Sequence, residues 1–499
     1  MPAANLTLDP AFTIAPVNRR TFGTFVEHMG RCVYTGIYEP GHATADEDGF
    51  RKDVLELTRE LGVSVVRYPG GNFVSGYRWE DGVGPREGRP RRLDLAWHSV
   101  ETNEFGLDEF IRWCAKAGVE PMMAINLGTR GVQEALDLQE YANHPGGTAL
   151  SDLREQHGAS PYGIKLWCLG NEMDGPWQIG HKTAEEYGRV AAETARAMRM
   201  IEPDLQLVAC GSSSSAMPTF GSWEQTVLRE TYDFVEYISC HAYYGNDDGD
   251  TASFLGSAVN MDRFIDAVTA TADAVGAEKK SQKNIDISFD EWNVWYGDRS
   301  RRTDGPGDQW EVAPRRIEDE YNVTDAVVVG NLLISLLRHS DRVGVACLAQ
   351  LANVIAPIMT ERGGPAWRQP TFHPFAITSR LAAGQVLRVE TDSPTISTAK
   401  YGDIAAVDAV ATYDDEGKLA VFLVNRSTEG PIEVTVDVSR AGVGTVAEAL
   451  IVHDDDLLAT NSADHPDRVT PQPADVRLAD GKLTITLPAV SWTAVSLAG

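Results

Sequence analysis

At 499 residues the chain is longer than one ordinary domain, and 43% hydrophobic with 23% charged residues makes it globular rather than disordered. A formal net charge of −28 argues against nucleic acid or an anionic membrane as partner and leaves a neutral ligand unaffected. No stretch approaches the roughly 20 apolar residues of a membrane span, and residues 1–9 hold no basic segment followed by an apolar run, so no secretory signal is read there.

Residues 5–14 read as an N-terminal strand. Eight apolar, β-rich runs follow, at 22–26, 64–68, 121–126, 165–169, 206–210, 237–241, 286–290 and 344–350. Most are continuously apolar rather than alternating, as parallel strands covered on both faces must be. Helical signals lie between them. Leu107, Phe110, Ile111 and Cys114 form an apolar stripe that Gly118 closes as a C-cap. Thr183-Ala184-Glu185-Glu186 is a capping box, and Tyr187, Val190, Ala191, Met198 and Ile201 recur after it at helical spacing. A third, more apolar helix is predicted over 325–337. Strand and helix alternating eight times point to the α/β class and to a (β/α)8, or TIM, barrel.

Beyond about Leu381 the texture changes. Short alternating strands at 395–401, 404–413, 418–425, 432–437 and 482–487 are separated by turn signals such as Asp414-Asp415-Glu416-Gly417 and Ala479-Asp480-Gly481. This predicts a C-terminal β-sandwich, jelly-roll-like, that also takes up the N-terminal strand. The expected domains are a barrel at 20–380 and a sandwich at 381–499, with 1–19 packed in it. Four of the six cysteines lie inside apolar strand-like runs and none forms a Cys-x-x-Cys pair. Buried reduced thiols in a cytoplasmic protein are expected, and structural zinc is not.

In such a barrel the chemistry sits at the C-terminal ends of the strands. Strand one leads into Glu27 and His28, strand two into Arg67 and Asn72, strand three into Asn126. Strand four leads into Asn171 and Glu172, strand six into His241 and Tyr243, strand seven into Glu291, strand eight into Gln350 and Asn353. Amides, acids and aromatic faces in one ring suit a polyhydroxylated ligand. Two carboxylates on opposite strands are the parts needed to cut a glycosidic bond, one as acid and one as nucleophile. Glu291 is read as the nucleophile, kept ionised by Arg67 and Tyr243, and Glu172 as the acid and later the base. Taken alone, Glu27 reads as a structural ion-pair partner and His241 as a hydrogen-bonded barrel residue. Trp177 and Trp295 either plug loops or offer sugar platforms, and Gly70-Gly71 either makes a turn or brings backbone close to a ligand. Gly363-Gly364 beside Arg362 is a weak phosphate-loop candidate. His28 and His241 form no His-x-His pair, and Ser212–Ser215 lack the Gly-x-Ser-x-Gly elbow of a serine hydrolase.

Five blocks carry a resemblance. They are Arg67-Tyr68-Pro69-Gly70-Gly71-Asn72-Phe73-Val74-Ser75-Gly76-Tyr77, Gly170-Asn171-Glu172-Met173-Asp174-Gly175-Pro176-Trp177 and His241-Ala242-Tyr243-Tyr244-Gly245-Asn246. Asp290-Glu291-Trp292-Asn293-Val294-Trp295-Tyr296 and Gln350-Leu351-Ala352-Asn353-Val354-Ile355 complete the set. In this order they resemble the family 51 glycoside hydrolases, and the likeness covers essentially the whole chain. It implies a retaining, exo-acting α-L-arabinofuranosidase acting on arabinan, arabinoxylan or derived oligosaccharides, without a cofactor or metal. It implies Glu172 as acid/base and Glu291 as nucleophile; Glu27, Asn72, Asn171, Tyr243 and Gln350 around the sugar; and Arg67 and His241 as supports of the nucleophile. It also implies an intracellular homo-oligomer, a hexamer in many members. Ala242 departs from the family pattern, where glutamine is frequent. The rival reading is an endo-glucanase or endo-xylanase of the same barrel clan. The loops 177–181 and 295–302 are expected to shape the aglycone side.

Overall fold

The computed structural model describes residues 2–297 and 310–499, so the part of the 295–302 loop from 298 onward lies outside the described residues. Eight parallel strands close into a barrel in chain order: Gly23–Phe25, Val65–Tyr68, Glu120–Ala124, Leu166–Leu169, Gln206–Ala209, Tyr237–Tyr244, Asp286–Val294 and Val343–Leu348. They are barrel strands one to eight, at the places where the apolar runs predict them. Strands six and seven run past their predicted ends at 241 and 290 and pair with each other, Glu291 opposite His241 and Asn293 opposite Tyr243. The predicted helices form as Leu107–Ala117, capped by Gly118 at φ +77°, Ala184–Ile201, capped by Thr183, and Val323–Arg338, capped by Asn322. All six cysteines are free and buried. No helix among the described residues is long and apolar enough to cross a membrane.

Most C-terminal strands join one continuous sheet of ten, while the predicted strand at 395–401 forms as Thr395–Thr398 and pairs apart from it with Gly402–Ala405. The order of the ten is Gln472–Pro473, Thr445–Val452, Ser491–Ala498, Leu419–Asn425, Val407–Tyr413, Gln385–Asp392, Ala3–Pro16, Ile432–Asp437, Lys482–Leu487 and Val476–Ala479. Thr445–Val452 and Val476–Ala479, near opposite ends of that order, touch, so the sheet curls over its own core, where Leu6, Leu387, Val421, Val434 and Leu483 are buried. The N-terminal strand lies in its middle, antiparallel to Gln385–Asp392 and parallel to Ile432–Asp437.

Barrel and sheet meet on the helix Val323–Arg338, in which every residue from Val323 to Leu337 is buried. A helix apolar on all sides belongs inside a core rather than on a surface. Gly330 is needed there, because a Cβ at that position would stand 2.2 Å from Cδ1 of Trp492 in the sheet. Polar links fasten the same junction. Asn331 donates to Asp408 at 2.7 Å, and Arg338 pairs with Asp408 and, at 2.9 Å, with Asp262. Burial pushes the Asp408 carboxyl up, and Arg338 and Arg426 more than reverse that, holding it below the usual carboxylate range.

Candidate active site

Strand seven carries Asp290 and Glu291 side by side, and in a regular strand their side chains would point to opposite faces. The register shows why they do not. Between Ser288 and Glu291 strand seven advances three residues while its partner advances two, from Ser239 to His241, and the pairing with strand eight shifts in the same place. One extra residue in a strand is a bulge, which re-aims side chains. Both carboxylates therefore meet the same arginine. Arg67, buried at the end of strand two, donates from Nη1 to Glu291 Oε1 at 2.8 Å and stands 3.8 Å through Nε from Asp290 Oδ2. Its Nη2 donates to Asn171 Oδ1 at 2.6 Å, tying strand four to the pair. Tyr243 O–H donates to the other oxygen of Glu291 at 2.7 Å.

Glu172 follows strand four on a left-handed turn, with φ +42°. Its Oε1 lies 2.9 Å from His241 Nδ1, and its Oε2 accepts from the Trp177 indole N–H at 2.7 Å. His241 Nε2 reaches Asp290 Oδ1 at 2.8 Å. Burial alone would lower the His241 pKa; Glu291, Asp290 and Glu172 around the ring raise it to about 10. Both ring nitrogens thus carry protons and donate. Burial works against charge on Asp290 too, yet Arg67 and His241 hold its carboxyl below the usual range. His241 bonds to Glu172 and Asp290 and stands 3.7 Å from Glu291, so its direct support goes to Glu172. One oxygen of Glu172, one of Glu291 and one nitrogen of His241 lie within 4.8 Å of one another.

Glu27 closes one end of the site. Its partners are neutral, which sets aside the ion-pair reading: the Phe73 N–H at 2.9 Å and the Trp97 indole N–H at 2.8 Å on Oε1, and the Gln350 amide at 3.2 Å on Oε2. Burial pushes its carboxyl up to about 8 against the pull of the Phe73 N–H, and the charge of Glu291 adds to the rise. Gly70 and Gly71 admit this side chain. A Cβ at Gly71 would stand 2.6 Å from Glu27 Oε2, and one at Gly70, where φ is +151°, 2.7 Å from its Cγ. Of the two readings of the Gly-Gly pair, a turn or a close approach, the close approach holds, and it is to a protein carboxyl rather than a ligand. Asn72 follows, half-buried, at the head of the turn Asn72–Gly76.

Trp177 is 50% exposed at the mouth, and Trp295 packs edge-on to Tyr243 with ring centroids 5.5 Å apart. Two members of this hydrogen-bonded cluster were given no role by the sequence, Trp97 beside Glu27 and Asp290 beside His241. Trp97 arrives on a hairpin of two three-residue strands, Arg92–Asp94 and Ser99–Glu101, too short to signal itself. Asp290 was hidden by the bulge. Other strand-end candidates lie outside the site. The Asn353 amide donates to Arg31 O and Thr360 Oγ1, and that of Asn126 to Tyr77 O and Thr129 Oγ1. His28 lies between Glu101 at 2.9 Å and the Tyr68 hydroxyl at 2.7 Å. At Gly363-Gly364 the Gly363 N–H already donates to Glu39 at 2.8 Å, so the weak anion-loop candidate is satisfied by the protein's own carboxylate.

Known proteins resemble this chain along its whole length. A model of the α-L-arabinofuranosidase 1 domain matches residues 57–263, and one of the α-L-arabinofuranosidase C-terminal domain matches residues 290–491. An intracellular exo-α-(1→5)-L-arabinofuranosidase of Streptomyces lividans is 62% identical, over 100% of this chain and 76% of its own. An exo-α-(1→6)-L-arabinofuranosidase of Bifidobacterium longum is 56% identical, over 99% of this chain and 97% of its own. The solved structure of AbfB, a family 51 α-L-arabinofuranosidase from Bifidobacterium longum, superposes with a TM-score of 0.96 at 50% identity, over 100% of both chains. The chain belongs to the family 51 α-L-arabinofuranosidases.

Proposed function

We infer that the protein is a retaining, exo-acting α-L-arabinofuranosidase that releases terminal arabinofuranose from arabinan, arabinoxylan or oligosaccharides derived from them. The observation that carries this is the Glu172–Glu291 pair with oxygens within 4.8 Å. Retention needs carboxyl groups about 5–5.5 Å apart, whereas inversion leaves about 6.5–9.5 Å for a water. Glu291, accepting from Arg67 and Tyr243, attacks the anomeric carbon. Glu172 gives its proton to the departing glycosidic oxygen as that bond breaks. Its Oε1 is taken by His241, so Oε2 carries the proton, beside the Trp177 N–H. Glu172 then takes a proton from water, which attacks the arabinosyl ester and frees Glu291.

Glu27, Asn72, Asn171, Tyr243 and Gln350 hold the sugar, with Arg67 and His241 fixing the two glutamates and Trp177 and Trp295 flanking the leaving side. Exo action is supported by the closed end that Glu27, Trp97 and Gln350 build. Residues 20–380 form the catalytic body, and 381–499 with 1–19 the sheet that backs it. The protein acts inside the cell, as the name of the Streptomyces lividans relative states for that enzyme. It assembles as a homo-oligomer, a hexamer by family resemblance, which light scattering behind size exclusion measures. The two relatives differ in the linkage they are named for, α-(1→5) and α-(1→6), so the preferred linkage has to be measured for this chain. Release of p-nitrophenol from its α-L-arabinofuranoside, followed by a panel of linkage-defined oligosaccharides, tests the reading. Internal cleavage of glucan or xylan without such release would favour the endo-acting rival.

The Glu27 carboxyl adds a pH dependence. Below about 8 it is neutral and can donate from Oε2 to a sugar hydroxyl; above that it is an anion beside Glu291. The expected profile of kcat/KM falls as pH rises through about 8. Glu27→Gln keeps a neutral donor and should lose that limb, and the same limb in Glu27→Gln would assign it to another group.

A further inference from the structure

Glu172 is the less firmly mounted of the two glutamates. Glu291 sits within a paired strand, whereas Glu172 lies beyond strand four, after Gly170 at φ +99° and itself at φ +42°. Side chains of L residues rarely occupy that backbone region, so surrounding contacts must hold it. The turn is closed by the Gly175 N–H donating to Glu172 O at 2.9 Å. Inside it stands Asp174, whose Oδ2 accepts from both the backbone N–H of Ser213, at 3.0 Å, and its hydroxyl, at 3.1 Å. The other oxygen, Oδ1, is buried with no hydrogen-bond partner.

Ser213 is itself anchored. Its neighbour Ser212 donates its N–H to Glu224 Oε1 at 2.7 Å, and Glu224, fully buried, accepts the Gly221 N–H on its other oxygen at 2.7 Å. Gly221 caps the helix Ser222–Thr231. Hydrogen bonds at Ser212 and at its chain neighbour Ser213 thus link a helix terminus to the turn beneath Glu172.

We infer that Asp174 is a positioning residue for Glu172, fastening the acid/base turn to the end of strand five through Ser213. This rests on the reading of Glu172 as acid/base. The turn must present Glu172 to the glycosidic oxygen in one step and to water in the next, and the two Ser213 bonds keep it in one place through both. The first step can proceed without acid assistance when the leaving group is already acidic; the second always needs the base.

Asp174→Ala and Glu172→Ala are compared on an arabino-oligosaccharide and on a dinitrophenyl α-L-arabinofuranoside. For Asp174→Ala, kcat/KM on the oligosaccharide is expected to fall about tenfold or more, part of the 10²–10⁴ that acid–base catalysis supplies. On the dinitrophenyl substrate kcat/KM should hold within about twofold while kcat falls; in Glu172→Ala, where the carboxylate itself is gone, azide should also restore kcat with arabinosyl azide as product. Asp174→Asn keeps an acceptor oxygen for Ser213 and should recover most of the oligosaccharide activity; it also carries the comparison if the alanine variant does not fold. Equal losses on both substrates, or none, alongside the split in Glu172→Ala, would overturn the role of Asp174. Absence of the split in Glu172→Ala would overturn the acid/base reading and this inference with it.

Discussion

Glu291→Ala is expected to lower kcat on p-nitrophenyl α-L-arabinofuranoside by about 10⁴-fold or more, the scale of loss when a nucleophile that acts with a partner is removed. Among the described residues, neither neighbouring carboxylate is placed to replace it. Asp290 is turned toward His241 and Arg67, and Glu27 is enclosed by Phe73, Trp97 and Gln350. The variant should fold, because alanine removes one buried acid and leaves Arg67 paired with Asn171 and near Asp290. Intact mass of the wild type, stopped early in turnover, should show one added arabinosyl unit, placed by peptide mapping on Glu291. An adduct on another residue would remove Glu291 from the nucleophile's role.

Arg67→Met is expected to damage stability and activity together. Arg67 is buried among Asp290, Glu291 and Asn171, and losing it leaves two carboxylates close together without their shared cation. Stranding a buried charge costs about 3–5 kcal/mol. Turnover should fall by about 100-fold, since Glu291 loses one of its two direct donors. The pH dependence of stability should change as well. In the wild type, Asp290 is held below its ordinary range, so its contribution is present above the unfolded carboxylate pKa and is lost as pH falls through the folded value. Without Arg67 the carboxyl rises and protonation relieves the repulsion, so the deficit against wild type should shrink as pH is lowered. Thermal melts of both proteins at pH 7 and pH 5 measure this, and superimposable melts at pH 7 would contradict the claim.

The barrel was legible because strands covered on both faces read as unbroken apolar runs, as Leu166–Leu169 and Val343–Leu348 do. The two glutamates stood out as candidates because a carboxylate ending such a run is costly unless it is used or paired. Other parts follow from pairing, which a single run of residues does not display. The bulge at Asp290 exists only as a mismatch of register between strands six, seven and eight. That mismatch accompanies the placing of Asp290 beside His241, which also contacts Glu172. The strand Gln385–Asp392 was missed because only Val386 and Leu387 in it are buried, and its partner is the distant N-terminal strand. Gly70 and Gly71 left open a turn or a close approach to a ligand, and only the fold shows that the group they admit is the Glu27 side chain.

The helix Val323–Arg338 has a bearing on modularity. It contributes to the barrel wall and at the same time packs against Trp492 and Asp408 of the sheet. The sheet is therefore no detachable accessory of the kind that chains acquire or shed at a linker. Parting the lobes would expose an apolar helix to water and strand Asp408 from Arg338. The catalytic lobe and its backing sheet hold their stability in common, and sequence change in one is constrained by the other.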